Sequence, residues 1–407
     1  MTRGWLAIAI LSWGGLAAAP AAAVHPWLPA PAQVDLLVIS CHPDDEGLFF
    51  GGLLPYYTQV LQKNVLLISM TSGDGGSDRR DVPPDQRLSG AALAELREQA
   101  AAEAAWRYGL RHEPIYGRFR DGGGASDWAA DPRDPAQWLA EQIALYRPAV
   151  VAGHEILGEY GHNDHRATGR AMSAAWDLLS GTEFQPQKMY MNAHGTRLPF
   201  AGALDYVVNR FVHDSFGDDP DTSDHPGIKR LLDFGDGQPR WATPLEAANH
   251  GVRAHETQGS IVENFIAANR HSEDWWLYRS AVGPDLYASD VDALGNPIPG
   301  ADFFQNVDSF AVFGDLNGDG VLDAADWDIL SANMFRADAG ITRWDGDLNA
   351  DGAVDEYDFV IFKTLYQRAI AADSPAGNPA LVPEPASAAL GWIALISAGA
   401  LRRRRAG

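Results

Sequence analysis

Cysteine is almost absent: Cys41 is the single one, which excludes an intramolecular disulfide. Positive charge is scarce, with 31 Lys and Arg against 54 Asp and Glu, a formal net charge of −23. So acidic a chain repels phosphate backbones, which argues against a nucleic-acid partner. Long apolar runs are rare too, and two of them lie at the chain ends. The first follows Arg3, runs through Trp5 to Leu11 and leads to Ala21-Ala22-Ala23, the pattern of a secretory signal over residues 1–23. A membrane anchor is the alternative, but Gly14, Gly15 and Pro20 break the run. The second, Ala386 to Leu401, is short for a span of about 20 residues. It follows Pro383-Glu384-Pro385 and runs into Arg402 to Arg405, which would hold its end in the cytoplasm.

What is present begins with Val34 to Ile39, a continuous apolar run that reads as a buried parallel strand. His42, Asp44, Asp45 and Glu46 crowd onto its end, where ligands bind in open α/β sheets. Alternation along the strand turns Cys41 away from that cluster, as a small buried residue. His42 and Asp45 are three apart, so a tight turn can aim both at one point and offer zinc a nitrogen and an oxygen. Asp44 must then point elsewhere, as a candidate general base. A second cluster, His162-Asn163-Asp164-His165, follows the apolar run Pro148 to Gly153 and opens a helical stretch. Its two imidazoles, three apart, can look into one cleft and supply a third ligand. Each cluster alone also fits a helix cap or a solvated turn.

At these residues the chain resembles the PIG-L/LmbE family of zinc-dependent de-N-acetylases, whose signatures are His-Pro-Asp-Asp-Glu (here His42 to Glu46) and His-x-Asp-His (here His162 to His165). The resemblance runs from about Val34 to Gln258 and includes an Asp121-Gly122 turn. It implies His42, Asp45 and His165 as zinc ligands and Asp44 as base. It makes His162, cationic or hydrogen-bonded to Asp164, the group that stabilises the oxyanion or protonates the leaving amine. Asp121 would touch the sugar. His250, His255 and Gln258 resemble a late family motif at the cleft border. Arg97 and Glu98 either reach the cleft or form a solvated helix face. The glycines of Thr71 to Gly76 allow close approach of backbone to a ligand. Trp275, Trp276 and Tyr278 either stack on sugar rings or belong to the core. Iron can replace zinc in such a donor set.

Apolar runs at Val34–Ile39, Val65–Met70, Ala149–Ala152 and Lys188–Met191 alternate with helical stretches at Ala91–Tyr108, Ala136–Tyr146 and Ala167–Leu179. This predicts a three-layer α/β/α Rossmann-like sandwich with a mostly parallel sheet over residues 34–285. Phe216 to Asp224 reads as an acidic surface loop, with a lid or a calcium loop as the alternatives. After a linker, 286–310, oxygen-bearing residues recur with calcium-loop spacing: Asp315, Asn317, Asp319, Asp323 and Asp326, then Asp347, Asn349, Asp351, Asp355 and Asp358. Val321 and Ala353 would give their carbonyls. Each loop runs into an apolar helix, in which Trp327, Ile329, Phe359 and Ile361 are expected to pack together.

Two such loops, each ending on Asp, resemble a type I dockerin, here a small α-helical EF-hand-like module over 311–367. That resemblance implies Ca2+ and a cohesin-type protein partner. A second linker, 372–385, carries Pro-Glu-Pro. With the apolar segment and basic tail of 386–407 it resembles a PEP-CTERM sorting signal, which implies an exosortase-like processing enzyme. Transient anchoring and release at the cell surface or into the extracellular matrix follow from it; an ordinary tail anchor is the alternative. Together these readings predict an exported Zn2+ hydrolase that removes N-acetyl groups from an amino sugar or glycoconjugate. Two alternatives stand beside it: a non-catalytic carbohydrate-binding or assembly protein, and a zinc amidase for a non-sugar N-acyl substrate.

Overall fold

A computed structural model describes residues 25–61, 63–124, 128–192, 208–211, 231–232, 240–241, 244–267, 273–282, 303–304, 307, 314–337, 341, 343–348 and 352–373. The expected signal segment, the acidic loop from Phe216 to Asp224 and the sorting-signal segment lie outside these residues, as do Asn349 and Asp351.

Strands β1 (Leu36–Ser40), β2 (Val65–Thr71), β3 (Ile115–Phe119), β4 (Val150–Gly153) and β5 (Lys188–Asn192) form the parallel part of a sheet, with β1 between β2 and β4. β6 (Val208–Phe211) pairs antiparallel with β9 (Glu273–Ser280), which pairs antiparallel with β5. The order β3-β2-β1-β4-β5-β9-β6 gives seven strands, mostly parallel as expected. β7 (Leu231–Leu232) and β8 (Arg240–Trp241) pair with each other, apart from this sheet among the described residues.

Alternation places Leu37, Ile39, Leu66, Ile68 and Val151 on one face of the sheet. They pack against helices α3 (Pro135–Tyr146) and α4 (Asn163–Leu179) through Leu139, Ile143, Met172, Ala175 and Trp176. Leu36, Val38, Leu67, Val150 and Tyr190 face the other way. They meet Phe50 of α1 (Asp45–Phe50) and Ala104 and Ala105 of α2 (Gly90–Arg107). Helices cover both faces, so the strands read as unbroken apolar runs. Trp275 and Trp276 of β9 are buried in these two cores rather than set out as a sugar platform. Phe303, from the stretch expected as linker, is also in the core. It stacks on Tyr190, with ring centroids 4.0 Å apart, and its N–H donates to Tyr57 Oη.

Two further helices follow, α5 (Pro244–Val252), which packs against α1 and α2, and α6 (Ser260–Ala267). The C-terminal module has a core of its own: Leu316, Leu330, Val354 and Phe362, with Trp327, Ile329, Phe359 and Ile361 packed around it. These side chains come from α7 (Ala324–Asn333), α8 (Glu356–Asp373) and the two loops before them. Among the described residues no helix is long and apolar enough to cross a membrane.

Two local features shape the cleft. The sheet reverses its winding between β1 and β4, which opens a crevice at their carboxyl ends. α4 also lies hard against the loop after β4. A Cβ on Gly169 would come within 2.5 Å of the Glu155 backbone, so only glycine permits the approach.

Candidate metal centre and catalytic cleft

The crevice is filled by the turn after β1. Asp45 Oδ2 accepts from the His42 backbone N–H at 2.8 Å and lies 2.9 Å from His42 Nδ1. The i,i+3 spacing thus closes the turn and brings imidazole and carboxylate together. Asp44, between them, adopts φ 138°, a left-handed region that strains any residue but glycine. Its N–H donates to Glu46 Oε2 at 2.9 Å, and Glu46 in turn pairs with His255 Nε2. His255 is thus 1% exposed and touches the turn from behind, through Glu46.

From the other side comes the start of α4. The helix begins at Asn163, earlier than the apolar pattern implied, because His162 Nδ1 caps it by accepting from Asp164 N–H. His165 therefore sits in the first turn, and its Nε2 lies 3.1 Å from Asp45 Oδ2. The His42, Asp45 and His165 side chains converge although more than a hundred residues separate the two motifs. The Asp164 carboxylate stands 4.0 Å from His162 Nδ1 and closer to His42. Its Oδ2 lies 3.3 Å from His42 Nε2 and accepts from Gly122 N–H, while Oδ1 accepts from Gly124 N–H. Asp121 Oδ1 is 3.1 Å from the same nitrogen, and its Oδ2 accepts from Gly75 N–H. Half-buried His162 has its pKa lowered, first by burial and then by neighbouring His42 and His165, so it is neutral rather than cationic at neutral pH.

Arg97 is 4% exposed. Its guanidinium donates to the carbonyls of Pro43 and Gly73 and lies 3.2 Å from Asp44 Oδ2. The glycine loop makes room for this arginine: a Cβ on Gly73 would meet the guanidinium at 2.5 Å. Burial pushes the Asp44 carboxyl up to about 6, against the pull of Arg97. Glu98 pairs instead with Arg118 on the outside. Cys41 corrects the expectation from alternation. Its backbone does lie on the α3/α4 face, yet its sulfur is 3.7 Å from His42 Nε2 and borders the cluster. Burial pushes its thiol pKa up.

Two residues of the site escaped the sequence reading, His154 and Glu159. His154 follows β4 directly, at the winding reversal, which was the available signal. Glu159 Oε1 accepts from His154 Nδ1 and its Oε2 from His165 Nδ1, each at 2.8 Å. These two histidines hold its carboxyl down to about 2 in spite of burial. Tyr160, 59% exposed, lies edge-on to His162 and His165 at the mouth.

The donor chemistry fits a cation. Cys41, His42, Asp45 and His165 each offer a ligand atom within 4.8 Å of the others. The Nε2 atoms of His154 and His165 are buried without a hydrogen-bond partner, and both approach Asp45 Oδ2. Buried polar atoms that nothing satisfies cost about 1–3 kcal/mol apiece. A divalent ion taking imidazole nitrogen and carboxylate oxygen would satisfy all three.

The C-terminal loops are built on a second plan. In the first, Asp315 accepts from Gly318 and Gly320 N–H, Asn317 Oδ1 from Asp319 N–H, and Asp326 from Leu316 and Asp323 N–H. The second repeats it: Asp347 accepts from Gly352 N–H, and Asp358 from Leu348 and Asp355 N–H. Asp323 also caps α7, and Asp355 takes the N–H of Tyr357 at the start of α8. Asp319 accepts from the N–H of Val321, whose side chain is exposed. Ala353 lies at the corresponding place in the second loop.

A Rossmann-like sandwich with a His/Asp donor cluster at its winding reversal defines the class, and comparison with known proteins gives the family. Residues 37–176 match PIG-L, the GlcNAc-PI de-N-acetylase family, and residues 313–365 match the dockerin type I domain. A Mycobacterium sp. (strain KMS) protein, 1D-myo-inositol 2-acetamido-2-deoxy-alpha-D-glucopyranoside deacetylase, is 30% identical over 56% of this chain and 75% of its own. A protein of the same name from Thermobifida fusca (strain YX) is 28% identical over 63% of this chain and 98% of its own. The chain belongs to the PIG-L de-N-acetylase family. Among solved structures, the N,N'-diacetylchitobiose deacetylase of Pyrococcus horikoshii is similar at 17% identity, 60% of this chain, 82% of that one and a TM-score of 0.41. That likeness bears on no assignment of activity.

Proposed function

We propose that the chain is a zinc-dependent N-deacetylase that hydrolyses the acetamide of an N-acetylated amino sugar. The observation that carries this is the convergence of His42 Nδ1 and His165 Nε2 on Asp45 Oδ2, with Asp44 beside them in a strained turn. His42, Asp45 and His165 would hold the ion. Bound there, zinc supplies a Lewis acid that polarises an amide carbonyl and makes a water acidic enough to be deprotonated near neutral pH. Asp44 takes that proton. Its carboxyl, raised to about 6 by burial, is basic enough to accept it and mostly ionised at neutral pH. Arg97 and the Glu46–His255 pair act through Asp44: one holds its carboxylate, the other its backbone N–H. Neutral His162 is placed to donate a hydrogen bond to the developing oxyanion, and Asp164 keeps His42 in register. Asp121, beside His42, is the side chain for a sugar hydroxyl. The acetamido sugar in the relatives' names supports the substrate class.

The dockerin-type region points to calcium at Asp315, Asn317, Asp319, Val321, Asp323 and Asp326 and again at Asp347, Asn349, Asp351, Ala353, Asp355 and Asp358. It also points to a cohesin-type partner. With the N-terminal signal pattern and the Pro-Glu-Pro tail it supports an exported, surface-associated enzyme, processed by an exosortase-like protease. The test is release of acetate and free amine, in equal amounts, from a panel of N-acetylglucosamine glycosides, with zinc present and after its removal. Zinc-dependent release from at least one is expected. No release from any, with zinc bound, would end the deacetylase reading and favour a sugar-binding module.

A further inference from the structure

We propose that Glu159 is the positioning residue of this site, a single carboxylate that orients the His165 ligand and the His154 beside it. The inference rests on the reading that His165 holds the ion. An ionised carboxylate only accepts hydrogen bonds, so both Nδ1 atoms at 2.8 Å from it must carry their protons. With Nδ1 so occupied, each neutral imidazole presents its lone pair at Nε2, the atom that faces Asp45 Oδ2. The tautomer is set from outside the donor cluster, by the hydrogen bond on the far side of the ring.

Three further observations point the same way. Glu159 and His154 side chains are fully buried, so this pair is held out of water. The His154 and His165 rings lie 4.1 Å apart, so His154 braces His165 from the side while sharing its acceptor. Glu159 also sits at φ 49°, in the left-handed region, between Gly158 and Gly161. A loop that needed only to turn would use glycine there; this one bears strain to place a carboxylate.

The experiment uses the full chain in excess calcium, so that the C-terminal loops do not take up zinc. Zinc affinity is measured by competition with a chromophoric chelator for the wild type, Glu159→Gly and His154→Phe. The visible spectrum of each Co2+-loaded protein is recorded, and thermal unfolding of each is followed without zinc. Glu159→Gly removes the carboxylate at a backbone conformation that glycine adopts freely, so the fold is expected to survive. The expected result is zinc binding weaker on the order of 10- to 100-fold, a changed Co2+ spectrum, and a fall in metal-free stability smaller than the loss of affinity, since the variant also gives up the hydrogen bonds of His154 and His165. His154→Phe keeps a ring against His165 and should lose less. Wild-type affinity and spectrum in Glu159→Gly would overturn the role. So would an affinity loss matched by an equal loss of metal-free stability, which would make Glu159 a prop of the loop. A wild-type chain that binds no zinc would overturn the metal reading and this role with it.

Discussion

The sheet crevice and the C-terminal loops both gather acidic side chains, in opposite ways. In the crevice the donors come from two distant turns, and neighbours outside the cluster fix them: Asp164 and Asp121 on His42, Glu159 on His165, Arg97 on Asp44. The loops collect their donors from one short stretch each, and the carboxylates are held mainly by backbone N–H groups of that same stretch. The first arrangement stands on a sandwich with its own large core; the second has only a small one around Leu330 and Phe362. A site framed by a core should outlive removal of its ion, whereas a loop that supplies its own frame should not.

The largest effect expected along this contrast is at Asp44. Asp44→Asn should keep the zinc and lower kcat by a factor on the order of 10²–10⁴, while Asp45→Asn should lose zinc. Metal analysis beside kinetics decides it, and equal metal loss in both would show the two acids misassigned. Next is calcium removal. A calcium chelator should weaken the helical signal of α7 and α8 in circular dichroism and leave deacetylation unchanged, because an empty loop concentrates repelling carboxylates and α7, at 10 residues, is too short to stand alone. Burial raises Asp315 to about 6, and neighbouring Asp326 and Asp319 add to it. Activity that tracked calcium would mean the two regions are coupled.

The smallest effect is protonic. Burial opposes charge on His165, but Asp45 and Glu159 together push its pKa up to about 10 without metal. The ion pairs it makes as a cation should stabilise the metal-free fold fully below pH ~6.5 and lose that contribution as pH rises through about 10. Zinc must displace this proton. Calorimetry at pH 8 in buffers of differing ionisation enthalpy should therefore register proton release on binding, and affinity should rise with pH by about tenfold per unit if one proton leaves. Proton-neutral binding at pH 8 would contradict the arrangement around His165.

The same division between local and distant separates the legible from the illegible in the sequence. The calcium-type loops, the His42–Asp45 turn and the strands were legible because their determinants lie within a few residues of each other, in spacing and alternation. The start of α4 was missed because a histidine, not an apolar pattern, caps it. That the Asp164 carboxylate also reaches His42, and that Glu159 joins His154 and His165, was not legible, because nothing in local spacing reports which ring a carboxylate meets across the crevice. The Cys41 sulfur borders the cluster because the chain leaves its strand geometry at Cys41, where alternation no longer says where a side chain lies.

Phe303 gives the two regions an asymmetric tether. The ring that stacks on Tyr190 and Tyr57 lies beyond the last strand and before the first loop. A protease acting after Val307 would cut the chain link to the C-terminal module and leave the core of the sheet domain whole. A cut before Phe303 would separate the enzyme from a piece of its own interior and bare two tyrosine faces to water. Where the chain is nicked would then decide whether the sheet domain keeps a closed core or an opened one.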